Sequence, residues 1–329
     1  MKKTLVTALA GAAFAMIGAV SAYAQSKELT VYSASDEAYL AEVIPAFQAK
    51  YPDMKLNIIR DSAGPIVARL LAESANPLAD ALLVMTAENL SILESKGILQ
   101  AYEPKGFEDL KPNMRDKKSP PFWTGNDAFA AAICFNTAEA EGQNIPAPEH
   151  WSDLTNPIYQ GKIVMPDPGS SGTAVLLVVG WLEMMGEKKG WEFMDALDKN
   201  ITQYVHGGNT PCRMAARGES VVGLSSPLGG VKEINAGAPL SLILPEEGNG
   251  AIVEGNAIVN GARNLESAKL FIDFMVSEEA QTIAAKYYSV VARQGINNSI
   301  PNYPQGEEAK MLILDYAALA ENKSTILAE

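Results

Sequence analysis

Residues 165–173 read Met-Pro-Asp-Pro-Gly-Ser-Ser-Gly-Thr, and the apolar residues 174–185 that follow are long enough for a helix. The chemistry of that arrangement is anion capture. The free amides of a helix's first turn point at whatever sits in front of it, and the macrodipole favours negative charge there. Ser170, Ser171 and Thr173 add hydroxyl donors that carry no charge, and Gly172 lets the backbone come close. Alone, Ser171 or Thr173 would do no more than cap a helix. Three other turns share the character: Ser33-Ala34-Ser35-Asp36, Asp61-Ser62-Ala63-Gly64 and Thr86-Ala87-Glu88-Asn89. They contribute Ser35, Ser62 with the amides of Ala63 and Gly64, and Thr86 as candidate donors. His206, in a glycine-rich turn, can donate to an oxyanion, with a charge that follows pH near neutrality.

Such turns need strands before them and helices after them, and the apolar spacing supplies both. Strand patterns at 29–32, 55–59 and 81–85 alternate with helical spacing at 39–51, 66–73 and 87–96. Pro65 fits a first helical position and Gly97 a stop. A β-α-β-α-β-α order implies an α/β fold whose sheet is parallel or mixed, with helices on both faces. Residues 128–135 read as a strand leaving that unit. Further strands are expected at 162–165, 221–224 and 251–259, and further helices at 174–185, 190–199, 268–275, 278–286 and 308–321. In open α/β sheets ligands settle outside the carboxyl ends of strands, which is where all four turns fall.

The amino terminus bears on destination. Met1-Lys2-Lys3, an apolar run over 5–20 and Ala22-Tyr23-Ala24 form a charged start, a hydrophobic core and a small-residue cleavage site, the pattern of a signal peptide over 1–24. No cysteine stands at the cleavage site, so export to a bacterial periplasm is expected. Its removal from 329 residues leaves 305, which suits two domains. The formal net charge is −13, and −15 without Lys2 and Lys3, which argues against nucleic acid or an anionic membrane as partner. A neutral donor cradle still admits an anion. Cys134 and Cys212 are the two cysteines. An oxidising compartment favours a disulfide between them, and two unpaired buried thiols are the alternative.

Catalysis has little support. Ser171 and His206 with an acid can be drawn as a hydrolase triad, but Gly-x-Ser-x-Gly is absent, and the glycine-serine turn lacks the lysine of a P-loop. No general base stands near a nucleophile, and two histidines without a Cys/His cluster make structural zinc improbable. No enzyme activity and no cofactor are expected.

The segments Lys162-Ile163-Val164-Met165-Pro166-Asp167-Pro168-Gly169-Ser170-Ser171-Gly172-Thr173, Gly186-Glu187-Lys188-Lys189-Gly190-Trp191 and Pro211-Cys212-Arg213-Met214-Ala215-Ala216 resemble solute-binding proteins of ABC importers. Arg60-Asp61-Ser62 and Cys134-Phe135-Asn136-Thr137 extend the likeness, which runs from about 29 to about 292. It is nearest to the 2-aminoethylphosphonate group, related to ferric-iron and hexose-phosphate binders. The resemblance implies a two-lobed type II periplasmic-binding-protein fold with a hinge and interlobe cleft. Lobe one would be 25–127 plus 258–329, and lobe two 128–257. It also implies a monomer that closes over a small anionic ligand and delivers it to an ABC permease in the inner membrane. Ser62, Ser170, Ser171, Gly172 and Thr173 match the family's oxyanion-binding turns. Asp127 and His206 also match, and Asp127 and Glu254 lie nearest the implied crossings, where either can meet a ligand ammonium.

Two departures matter. The relatives' His-Ser-Gly turn is here His206-Gly207-Gly208-Asn209, and their Ser-Phe-Glu-Tyr-Arg pattern is here Ser225-Ser226-Pro227-Leu228-Gly229, which puts Ser225 in the lining and removes bulk and a cation. A phosphonate such as 2-aminoethylphosphonate is the expected ligand. A phosphate ester such as a hexose phosphate is the alternative. Fe(III) ranks low, because iron-binding relatives use adjacent tyrosines where this chain has Ser225-Ser226, and Tyr287-Tyr288 falls in a helical region where aromatics pack. A secreted hydrolase and a sensor subunit are the readings from other classes.

Overall fold

The computed structural model describes residues 28–304 and 306–328, so the expected signal peptide at 1–24 lies outside the described residues. The chain opens with β1 (Glu28–Ser33), α1 (Glu37–Lys50), β2 (Lys55–Arg60), α2 (Ala63–Ala72), β3 (Ala81–Thr86) and α3 (Ala87–Ser95). β4 (Leu99–Gln100) and a long connection lead to β5 (Trp123–Ala130), and one residue later β6 (Ala132–Asn136) begins a second unit. That unit continues through α4 (Thr137–Gln143), β7 (Ile163–Pro166), α5 (Gly172–Met185), α6 (Glu187–Asp198), β8 (Ile201–Val205), α7 (Thr210–Ala216), β9 (Val222–Ser225), α8 (Pro227–Asn235) and β10 (Leu240–Ile243). β11 (Asn249–Val259) returns to the first unit, and α9 (Leu265–Met275), α10 (Glu278–Ala284), β12 (Val290–Val291), β13 (Met311–Ile313) and α11 (Tyr316–Ile326) complete it.

Two sheets result. The first runs β12-β5-β11-β3-β1-β2, with β4 and β13 also paired to β11; the second runs β10-β6-β9-β7-β8. β1, β2 and β3 are parallel, whereas β11 is antiparallel to β3 and β5, so the first sheet is mixed. β3 reads Ala-Leu-Leu-Val-Met-Thr with its first five residues buried, as a strand covered on both faces requires. One face packs on Tyr39, Val43 and Phe47 of α1 with Phe271 and Phe274 of α9, and the other on Ile66, Leu70, Leu90 and Leu93 of α2 and α3. In the second unit Trp181 is edge-on to Trp151 and Phe193, with ring centroids 5.3 and 5.2 Å apart. Cys134 of β6 and Cys212 of α7 form a buried disulfide with Cα atoms 5.3 Å apart.

Three local expectations change. Residues 128–135 are two strands broken at Ala131, because β5 pairs in the first sheet and β6 in the second. Residues 308–321 are not one helix: Met311–Ile313 pairs in parallel with Asn249, Gly250 and Ala251, and helix begins only at Tyr316. Pro65 is the third helical residue, since Ser62 takes the N-cap position.

The units are sewn together along β11. Helix α5 of the second unit lies so close to it that a Cβ on Gly180 would stand 2.9 Å from the Gly250 Cα. From the other side Tyr316 accepts from the Val253 amide at 2.9 Å and donates to the Ala251 carbonyl at 3.3 Å. A glycine in a helix ordinarily costs about 1 kcal/mol relative to alanine. Gly180→Ala is expected to reverse that sign and destabilise by about 1–3 kcal/mol, because backbone cannot yield as a side chain does. Thermal denaturation checks this, and an unchanged or raised midpoint would disprove the close approach.

Candidate functional site

Strand direction decides where the site lies. β5 and β3 are both antiparallel to β11, so β5 ends on the same edge as β1, β2 and β3. In the second sheet β7 is parallel to β8 and β9, and β6 runs against β9, which places its first residue, Ala132, beside Ser225. The carboxyl edges of both parallel sets therefore meet at the crossing. Asp127 and Ala132 are five positions apart, so at about 3.3 Å per residue the two edges come within about 17 Å of each other there.

The second unit's wall gathers three turns. The N-cap of α5 is Ser171, whose side chain makes no capping bond. Among the described residues the Gly172 and Thr173 amides find no acceptor, and the Ser171 and Thr173 hydroxyls make no hydrogen bond. Asp167 shapes the approach: its carbonyl accepts from the Ser170 and Ser171 amides at 3.0 and 2.9 Å, and its carboxylate from the Gly169 amide at 2.8 Å. The Ser170 hydroxyl donates to the His206 carbonyl at 3.2 Å, which ties this turn to the His206-Gly207-Gly208-Asn209 loop, exposed at His206 and Asn209 and half-buried between them. Gly208 lies against it, and a Cβ there would stand 3.0 Å from the Thr173 Cβ and 3.1 Å from the Ser171 Oγ. Buried Ser225 donates to the Gly208 carbonyl at 2.6 Å, and Ser226 donates to the Asn209 Oδ1 at 3.0 Å. Ser170, Ser171, Gly172, Thr173 and His206 are thus one wall, whereas Ser225 is fully buried and supports it from behind through Gly208.

The first unit's wall is less uniform. Ser62 is exposed, its hydroxyl is unbonded among the described residues, and the Ala63 and Gly64 amides at the head of α2 find no acceptor there. Thr86 differs, because its hydroxyl accepts from the Asn89 side-chain amide at 2.9 Å and caps α3. Ser35 is buried and its hydroxyl lies 2.9 Å from that of Tyr288. Arg60 donates through Nε to the Ser35 carbonyl at 2.7 Å and lies 3.5 Å from the exposed Glu37, so it braces the turn. Trp123 is buried in the core beneath.

Thr86, Glu254 and Asp127 form a row across β3, β11 and β5. Directly opposed side chains on adjacent strands touch, and like charges there repel. Asp127 is fully buried, whereas Glu254 keeps part of its surface exposed. Asp127 Oδ1 accepts from the Asn126 side-chain amide at 2.9 Å, and Oδ2 is buried without a donor among the described residues. Burial pushes the Asp127 carboxyl well above the usual carboxylate range. Burial, then the Asp127 charge and hydrogen bond and the Asp36 charge, push Glu254 up as well. Burial and the closeness of the two carboxyls favour protonated over doubly ionised forms of this pair.

A double bulge holds this row. Register shifts on both sides of β11 near Gly255, and Asn126 and Asn256 fill the gap with a side-chain bond at 3.4 Å. Tyr39 donates to Asn126 Oδ1 at 3.3 Å, and Asn256 Oδ1 accepts from the amide of Val84, which stands at φ 55°. A β-branched residue at positive φ is strained and persists only where its surroundings dictate it. Sequence reasoning missed Asn126, Asn209, Gly208 and the Ser35 contact of Tyr288, whose roles depend on partners distant in the chain.

Two α/β units joined by paired crossing strands, with donor turns on both facing edges, define a two-lobed binding protein. The chain belongs to the family of bacterial extracellular solute-binding proteins, which matches residues 76–322. The probable ABC transporter periplasmic-binding protein y4fP of Sinorhizobium fredii is 29% identical over 300 residues, 87% of this chain and 79% of its own. The periplasmic binding protein AfuA of Actinobacillus pleuropneumoniae, solved with fructose-6-phosphate, is 30% identical with a TM-score of 0.78, covering 92% of this chain and 96% of its own. Iron-bound HitA of Pseudomonas aeruginosa, 21% identical, shares the fold with a TM-score of 0.77 over 92% of this chain and 98% of its own. The two-lobed fold implied by the resemblance is the observed one, and these relatives are solute-binding proteins rather than enzymes. Among the described residues no helix is long and apolar enough to cross a membrane, and no three His, Cys, Asp or Glu side chains group as a metal site.

Because both carboxyls of the pair hold protons to higher pH in the native protein than in the unfolded chain, their contribution to stability is complete below the ordinary carboxylate range and is lost as pH rises toward neutrality. From about pH 5 to about pH 8 the Glu254→Gln protein should lose less stability than the wild type, by up to about 1.4 kcal/mol per pH unit for each proton. Urea unfolding across that range measures the difference. Parallel curves for the two proteins would show that the pair does not titrate there.

Proposed function

We propose that the chain is the solute-binding subunit of an ABC importer, exported by residues 1–24, and that it captures a small phosphonate such as 2-aminoethylphosphonate as a monomer. The observation that carries this reading is the α5 turn, where two amides and two hydroxyls stand without acceptors among the described residues. A tetrahedral oxyanion has the shape and charge those donors lack. Ser62 with the Ala63 and Gly64 amides would grip it from the first lobe, and His206 and Ser225 border the same wall. The lobe boundaries we propose follow the sheets, with crossings at Ala131 and between Ile243 and Asn249 rather than after 127 and 257 as the resemblance implies, because β5 and β11 pair along their length in the first sheet. Closure is a hinge motion that the ligand drives through contacts made only in the closed form. Charge-assisted bonds contribute roughly 1.5–3 kcal/mol each, so five or six of them support about micromolar binding once ordering costs are subtracted.

A phosphate ester is the second reading, favoured by the likeness to AfuA, whose structure holds fructose-6-phosphate. Iron is disfavoured by the tyrosines. Tyr288 turns to Ser35 and Tyr287 to Glu42, so the two hydroxyls do not converge. The hydrogen bond to Glu42 and burial push Tyr287 up to about 12, which opposes phenolate formation.

Thermal-shift and calorimetric titration with 2-aminoethylphosphonate, methylphosphonate, fructose-6-phosphate, inorganic phosphate, Fe(III) and fructose test the proposal. A phosphonate at about a hundred times its Kd should stabilise by about 2.7 kcal/mol. Ser171→Ala and Thr173→Ala should each weaken it about ten- to a hundredfold. Stabilisation by fructose alone would overturn the anion reading, and unchanged affinity in the double variant would reduce the turn to a helix cap.

A further inference from the structure

We propose that Glu254 and Asp127 form a subsite for a primary ammonium group, and that a ligand's cation takes the place of the proton the two carboxyls share, so that capture releases a proton. This rests on the phosphonate reading above and adds to it the ligand's second end and a stoichiometry. The geometry is that of a layered acid. Glu254 reaches the surface at the carboxyl edge of the first sheet, and Asp127 lies wholly buried behind it on the neighbouring strand. Oδ1 of Asp127 is satisfied by Asn126, whereas Oδ2 is enclosed with no donor among the described residues. An acceptor buried that deeply is costly unless something cationic or protonated faces it. The subsite lies across the crossing from the donor turn of α5, on the opposite wall.

The groups packed around the pair leave that role to an incoming cation. On α1, Tyr39 donates to Asn126, and beyond α10 Tyr288 contacts Ser35; burial holds both phenols protonated. Asp36, in the turn after β1, adds a third negative charge acting on Glu254. Arg60, on β2, is turned to the Ser35 carbonyl and Glu37. Thr86, the neighbour on β3, carries no charge, and its hydroxyl is engaged by Asn89. With one proton on the pair the site is a weak cation binder; with an ammonium against Glu254 that proton loses its reason to stay. The balance is simple: a carboxyl O–H bond breaks, N–H···O bonds to the carboxylates form, and the proton passes to water or buffer.

Calorimetry of the full chain with 2-aminoethylphosphonate in buffers of different ionisation enthalpy counts the protons. The phosphonate's own proton is common to all proteins, so the quantity read is the difference between wild type and Glu254→Gln. Near about pH 6.5 the wild type should release between half and one proton more than the variant, with the excess shrinking above about pH 8 as the free pair ionises. Glu254→Gln should weaken 2-aminoethylphosphonate about tenfold or more and leave methylphosphonate within about threefold. Equal proton counts, or equal weakening of both phosphonates, overturn this inference while the phosphonate reading stands. Failure of the wild type to bind either phosphonate overturns that reading, and the ammonium subsite with it.

Discussion

The antiparallel pairing of β5 with β11 is the constraint from which the rest follows. It carries the chain out of the first sheet and back, it sets Asp127 opposite Glu254, and it aligns the carboxyl edges of both sheets on one gap. Asn126 fills the bulge in that pairing and Asn256 the one between β11 and β3, where Val84 stands at a φ of 55° that its branched side chain opposes. Strain of this kind needs rigid surroundings, and the core residues packed on both faces of β3 provide them. The crossing is therefore stiff on the first-lobe side, and under the proposed boundaries a hinge would bend at Ala131 and in the segment between Ile243 and Asn249.

What was legible in the sequence was local. The run Ala-Leu-Leu-Val-Met at 81–85, the helical spacing at 39–51 and the Ser-Ser-Gly-Thr turn each report their structure through neighbours in the chain, and each is where the pattern put it. The elements that escaped depend on distant partners. β13 is a strand only because β11 offers an open position beside Asn249, and β8, with its middle residues exposed, lacks the apolar run that marks a buried strand. The same division runs through the site. Thr86 and Ser171 look alike as hydroxyls at strand ends, yet Asn89 occupies the first and, among the described residues, no side chain bonds the second. That Tyr288 reaches Ser35, 253 positions away, is a fact of tertiary packing that periodicity cannot carry.

The two walls differ in how they are held, and the difference suits their proposed tasks. The second-lobe wall is fixed and its free donors are uncharged: the Cys134–Cys212 disulfide anchors α7 to β6, Gly208 lies against Thr173, and Ser225 and Ser226 are committed to that loop. Donors already in place lose little freedom when an anion arrives, so more of each bond appears as affinity. The first-lobe wall instead carries the Glu254–Asp127 pair, which burial holds toward the protonated form and whose proton the proposed ammonium would displace. A protein of net charge −13 has a long-range field that opposes an anion, and cationic side chains in the cleft would offset it at the cost of binding every anion alike. Under the proposed reading, fixed uncharged donors opposite a titratable acid would give a narrower selection, because an anion would satisfy one wall only, whereas a zwitterion would satisfy both and draw them together.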